Sequence, residues 1–286
     1  MKLKFTYFFV WGLFTALFSH AQITEADFVA KAPFKKVFWI VLENEDSDDA
    51  LTQPFLRNFA KNGAYFRNFY AATHPSQPNY IAMITGSTQG INTNKNVSLD
   101  SKSIVDLLDA KKLTWKSYTD DYPGNCYTGT KYAHYVRKHQ PFISINNIRN
   151  NPVRCAQIVN SSELVSDVKA GMVPDFAFFV PNLLNDGHDT GIEYADRFLA
   201  KLMGPLLQNT EFMRNRIVIV TFDESENLLG ENKIYTAIYG SGINPGTVTQ
   251  KSYGFASLLR TIEAAMDLGS LGSDDAKAPL ILDIWR

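Results

Sequence analysis

The chain has 286 residues, enough for one large α/β domain or two small ones. Hydrophobic residues make up 45% and charged residues 20%, the balance of an ordinary soluble globular protein with a sizeable core. The formal net charge of −1 lacks the basic excess that phosphate-backbone binding requires, so no nucleic-acid partner is expected.

Residues 1–21 stand apart. Lys2 and Lys4 precede an apolar run from Phe5 to Phe18, and Ser19-His20-Ala21 places small residues at both cleavage-site positions. Basic, apolar and small segments in that order read as a secretory signal peptide cut before Gln22, giving a periplasmic or secreted product. The run is about 14 residues, short of the roughly 20 that a spanning helix needs. No later segment is apolar enough to span, so the mature form is expected to carry no membrane span. In an oxidising compartment the only two cysteines, Cys126 and Cys155, are expected to pair; two buried thiols are the alternative.

No repeat, low-complexity tract or Pro/Ser-rich linker divides residues 22–286, which read as one domain. In chain order, the first buried strand is predicted over 36–42 and leads directly into Glu43 and Asn44, with Glu45, Asp46, Asp48 and Asp49 close behind. Helical periodicity covers 54–62. A strand over 65–70 precedes ATHPSQPNYIAMITG (residues 72–86), whose Ile81-Ala82-Met83-Ile84 reads as a helix entering the core. A helix over 103–111 and a strand over 114–119 follow. Next, a strand over 175–180 runs into PNLLNDGHDTG (residues 181–191), and a helix covers 192–208. The strand over 216–222 leads into Asp223 and Glu224, with Glu226 nearby; a strand over 234–239 and a helix over 255–266 complete the pattern. Alternating strands and helices predict an α/β sandwich with a mostly parallel central sheet, and the strand C-terminal ends locate the site.

Two of those ends are acidic. Carboxylates there are poorly placed for a core and well placed for a hard divalent cation, although zinc also accepts such ligands. A single acidic end is more often a solvated loop. Ser76 falls where a helix N-cap belongs, with Pro78 in the first turn, and a capping serine is the plain reading. The same position also suits a nucleophile attacking phosphorus, because backbone N–H groups and the helix dipole meet the developing charge. Asn79, one turn inside, has an amide able to join those donors. His188, between Gly187 and Asp189, is loop-borne, and reads as a metal ligand or a donor to a phosphate oxygen or leaving group.

VLEN (residues 41–44), THPSQPNY (73–80), NDGHD (185–189) and TFDE (221–224), in this order, resemble the bacterial phosphoesterase family. That family contains exported acid phosphatases, phosphatidylinositol phosphatases and phospholipases C. KHQPF (138–142) and SLLRTIE (257–263) look like further family segments. The resemblance implies an alkaline-phosphatase-like three-layer α/β sandwich. It also implies Glu43, Asn44, Asp223 and Glu224 as metal ligands, Ser76 as a nucleophile forming phosphoserine, and Asn79 as a hydrogen-bond donor to the phosphoryl group. His74 and His188 would line the phosphate pocket, and Asp189, Lys138 and His139 are further substrate-binding candidates. Two-zinc members of the superfamily use three histidine ligands. With His134 and His139 in a Lys/Arg/Tyr-rich segment read as substrate-binding or solvated surface, one divalent ion (Mg, Ca, Mn or Zn) with mainly oxygen ligands is expected instead.

The resulting expectation is metal-dependent hydrolysis of phosphate monoesters on small phosphorylated substrates. A phosphodiesterase or phospholipase C acting on phospholipid head groups is the runner-up; family members of that kind tend to be longer, and this chain stops soon after SLLRTIE. A sulfatase is disfavoured because Tyr80 stands where that signature needs arginine. A binding module with a dead site would lack the serine or the acidic residues, and none is missing. The loop over 118–142, with Asp120, Asp121, Tyr122, Tyr127, Lys131 and Arg137, is the expected meeting place for a leaving group.

Overall fold

A computed structural model describes residues 23–286, so the expected signal peptide over 1–21 lies outside the described residues. Ten strands occur among them: β1 Lys36–Leu42, β2 Ala64–Tyr70, β3 Trp115–Thr119, β4 Lys131–Tyr132, β5 Tyr135–Val136, β6 Ile158–Asn160, β7 Phe176–Val180, β8 Arg216–Phe222, β9 Thr236–Gly240 and β10 Thr247–Gly254. Eight of them form one sheet in the order β10-β2-β9-β8-β1-β7-β3-β6, and β4 with β5 makes a separate small ladder. Only β9 runs antiparallel to its neighbours, β8 and β2. The mostly parallel α/β sandwich is therefore present.

Sheet position explains which strands the sequence announces. β1 lies between β7 and β8, parallel to both, and Val37 through Leu42 are fully buried. A strand covered on both faces reads as an unbroken apolar run, as KVFWIVL does. Each such side chain contributes about 1.5–3 kcal/mol by leaving water. Besides the small β4–β5 ladder, the two strands not anticipated, β6 and β10, are edges of the main sheet. β6 has three residues, while β10 buries only Thr249 and Tyr253 and shifts register between Thr249 and Ser252.

Helices flank the sheet in two groups. Ser76–Thr85 packs against Ile104–Ala110 and Phe255–Ala265, while Pro54–Asn62 packs against Ile192–Gln208. Ser103 and Asp106 close a capping box at the start of Ile104–Ala110. The helix Pro54–Asn62 has no side-chain cap of its own. Asp196, from Ile192–Gln208, accepts from Phe55 N at 3.1 Å and Leu56 N at 2.8 Å instead. Cys126 and Cys155 form the expected disulfide, with Cα atoms 5.7 Å apart. No helix among the described residues is long and apolar enough to cross a membrane.

Candidate active site

Parallel register puts the acidic residues together. Leu42 pairs with Phe222, so Glu43 and Asp223 leave adjacent strand ends side by side. Glu43 N donates to Asp186 O at 3.2 Å, which draws in the loop after β7. Asn44 then turns the chain at φ 39°, a left-handed conformation that asparagine tolerates better than most residues.

Ser76 arrives from the end of β2. The structure corrects one expectation here: Pro75 is the N-cap and makes no side-chain cap bond, while Ser76 is the first helical residue. Its hydroxyl is thus free of capping. Ser76 Oγ donates to Glu43 Oε1 at 2.6 Å and lies 2.9 Å from Glu224 Oε1. The residue is only 1% exposed. Lys138 Nζ stands 3.3 Å from Ser76 Oγ and 3.4 Å from Glu43 Oε1. His74 Nδ1 contacts Glu224 Oε2, and its Nε2 is buried without a partner.

A second layer lies beneath Glu43. His139 is buried rather than solvated: Nε2 is 2.6 Å from Glu43 Oε2, Nδ1 is 3.4 Å from Asp186 Oδ2, and the ring stacks on Tyr80 at 5.0 Å. His134 is exposed. Asp186 is the acidic residue of the site that sequence reasoning passed over. Its signal was present, as the first carboxylate of NDGHD after β7.

Three other expectations meet different surroundings. Asn79 Oδ1 accepts from Ala72 N at 2.9 Å and Thr73 N at 3.1 Å, and Nδ2 donates to Thr73 O at 2.7 Å. Its amide is hydrogen-bonded to the loop that carries His74. His188 and Asp189 pair with each other at 2.7 Å and are partly exposed. They line an open cleft of about 580 Å³ with Asn44, Glu45, Asp49 and Glu226, and Ser76 is not part of its lining. In the loop over 118–142, Arg137 is held by Thr128 O and Val97 O, both at 2.8 Å, and Asp120 by Ser161 and Asn185; these side chains serve the fold.

The electrostatics follow from burial. Burial opposes ionisation of Glu43, yet His139, then Lys138 and Ser76, hold it at about 2. Asp223 is pushed well above the usual range by burial, reinforced by Glu43 and Glu224. Glu224 is raised, chiefly by burial, against the hydrogen bonds from Ser76 and His74. Asp186 is raised by burial as well. His139 is raised, because the neighbouring Glu43 and Asp186 outweigh the burial that disfavours its charge. Clustered buried carboxyls therefore compete for too little positive charge.

This donor set fits a cation. Glu43, Asp223 and Glu224 offer ligand atoms within 4.8 Å of one another, as do Glu43, His139 and Asp186. Asp223 Oδ2 is buried with no hydrogen-bond partner, a costly arrangement for a carboxylate unless something positive faces it. One terminal amide atom of Asn44 lies 3.1 Å from Glu43 Oε1 and 3.2 Å from Glu224 Oε1. As nitrogen it donates to both; as oxygen it joins them as a ligand.

The fold is that of the alkaline phosphatase superfamily. It is similar to a Vibrio parahaemolyticus member of that superfamily, at TM-score 0.62 and 13% identity over 87% of this chain and 71% of that one. Murine ectonucleotide pyrophosphatase/phosphodiesterase 5 is similar at TM-score 0.58 and 11% identity, over 84% and 96%. The profile of the Phosphoesterase family matches residues 47–269, and the chain belongs to that family. A probable acid phosphatase of Kluyveromyces lactis is 37% identical over 266 residues, 88% of this chain and 63% of the relative. An acid phosphatase of Aspergillus fumigatus is 34% identical, over 87% and 58%. A phosphatidylinositol-3-phosphatase of Mycobacterium tuberculosis is 30% identical, over 86% and 81%. The chain spans between 58% and 63% of the length of the fungal acid phosphatases it matches.

Proposed function

We propose that this chain is an exported phosphatase of the acid-phosphatase type that hydrolyses phosphate monoesters through a phosphoserine on Ser76. The observation that carries this reading is the serine itself, a buried hydroxyl at a helix start, bonded to Glu43 and Glu224 instead of capping the helix. The family relatives' names agree with it. Export is supported by the basic-apolar-small order of residues 1–21 and by the disulfide.

Glu43, Asn44, Asp223 and Glu224 are the residues that would hold one divalent ion. Such an ion, when bound, neutralises phosphate charge and favours the serine alkoxide. Ser76 passes its hydroxyl proton to Glu224, the less acidic of the two carboxylates it contacts, and attacks in line. The Oγ–P bond forms as the bond from phosphorus to the leaving oxygen breaks. His74 Nε2 and the helix N-terminus are available to the equatorial oxygens. His188 on the cleft rim, or a water, protonates the leaving alcohol, and water then hydrolyses the phosphoserine. Asn79 keeps the loop bearing His74 in place.

Ser76→Ala should abolish turnover of p-nitrophenyl phosphate while leaving the unfolding midpoint unchanged; substantial retained turnover would refute the nucleophile. Exhaustive chelation should remove activity, and single-metal add-back should restore it. A bis-ester chromogenic substrate separates this reading from a phosphodiesterase or phospholipase C.

A further inference from the structure

The charge balance of the site is incomplete with one divalent ion. Glu43, Asp223 and Glu224 face one another in a buried pocket, and a phosphate monoester adds up to two further negative charges. Among the described residues, the other basic side chains near the site hold partners of their own. His139 lies beneath Glu43, buried against Tyr80, and cannot reach an incoming phosphate. His74 is engaged with Glu224 through Nδ1 and does not contact Ser76, Arg137 is held by two carbonyls, and His188 pairs with Asp189 on the rim. Lys138 alone both touches the nucleophile and keeps an open side, with its side chain 19% exposed.

We propose that the Lys138 ammonium is the second positive charge of the catalytic centre, pairing with Ser76 Oγ as it becomes a nucleophile and then with a non-bridging oxygen of the transferred phosphoryl group. The inference rests on the Ser76 reading. Its placement is built into the fold. Arg137 and His139, on either side in the turn Arg137–His139, are both buried and held, so the backbone between them is fixed. The flexible lysine stem then lets the head group follow the phosphoryl oxygen as it transfers. Lys138 takes no part in the proton transfer. The serine proton goes to Glu224, the Oγ–P bond forms, and the departing oxygen takes its proton from His188 or water. Lysine is therefore a fixed charge in this step and not a base.

The test is acid-quench measurement of phosphoserine formation, located at Ser76 by mass spectrometry, for wild type, Lys138→Ala and Lys138→Arg on p-nitrophenyl phosphate. Lys138→Ala should slow phosphorylation on the order of 10²–10³-fold, the usual loss for one preorganised donor, with a smaller change in KM. Methylammonium should restore part of that rate and neutral acetamide none, and Lys138→Arg should retain part of it. Calorimetric titration with Mn²⁺ in the absence of substrate should show divalent-ion binding no weaker than in wild type, because a like charge has been removed. Phosphoserine forming at the wild-type rate in Lys138→Ala overturns the inference. So does a loss explained by weakened metal binding or a lowered unfolding midpoint, since Lys138 would then only support Glu43. No phosphoserine in wild type overturns the Ser76 reading instead, a result the lysine variants cannot mimic.

Discussion

Glu263 should make the protein's stability depend on pH in a way that one substitution removes. It lies on the helix Phe255–Ala265, is 1% exposed, and neither carboxylate oxygen has a hydrogen-bond partner. Asp275, also buried, faces it but is already saturated: Oδ2 accepts from Leu271 N at 3.0 Å and Gly272 N at 3.3 Å, and Oδ1 from Ser273 N at 2.8 Å. Those donors tie Asp275 into the loop and leave Glu263 nothing to accept. Arg260, one turn earlier on the same helix, is turned away to Ala278 O and Glu25. Burial, then the Asp275 charge, pushes Glu263 up to about 8 from 4.5. A carboxyl raised in the folded state stabilises fully below its unfolded value, and that stability is lost as pH rises through the folded one. The folded chain binds the extra proton over that interval, so unfolding free energy falls by about 1.4 kcal/mol per pH unit, to a total of about 5 kcal/mol. Glu263→Gln keeps the shape of the neutral acid and cannot ionise. Urea unfolding of both proteins from pH 4 to 9, at fixed divalent-ion concentration, gives the difference profile. Taking the difference cancels the raised Asp223, Glu224 and Asp186, which both proteins share. The variant should gain on wild type steadily between pH 4.5 and 8 and then level off. Parallel profiles would refute the reasoning.

Asn79→Ala should lower stability by about 1–3 kcal/mol, because it strips the acceptor from two backbone N–H groups of the loop over 72–73. A variant that loses turnover at full stability would return Asn79 to direct contact with substrate. Asp196→Ala should cost a similar amount, about 1–3 kcal/mol, because Phe55 N and Leu56 N then start a helix without an acceptor. Equilibrium urea unfolding at pH 6 reads both, and an Asp196→Ala midpoint equal to wild type would show that water replaces the cap at no cost.

The sheet centre was legible because β1 and β8 are covered on both faces and their sequences show it. β10 was not, because an edge strand with one wet face carries polar residues that look like loop. The acidic strand ends were legible one at a time. Their adjacency was not, since it depends on the parallel register that pairs Leu42 with Phe222, 180 residues apart in sequence but neighbours in space. His139 marks the sharper limit. Its local sequence is basic and aromatic, and reads as surface. What buries it is Tyr80 from the helix after β2, Glu43 from β1 and Asp186 from the loop after β7. No window of sequence contains more than one of those partners.

At Ser76 local helix rules and motif order point to different roles. By helix rules a serine before an apolar run is a cap, and the fold gives that place to Pro75 instead. Once the proline takes the cap, the serine moves one position into the helix and its hydroxyl swings toward the strand ends. Glu43 and Glu224 are there to receive it only because β1 and β8 are neighbours in the sheet. The nucleophile assignment thus depends on sheet order as much as on the serine. A change that disturbed the pairing of β1 with β8 would separate Ser76 Oγ from the two carboxylates it contacts without touching the serine.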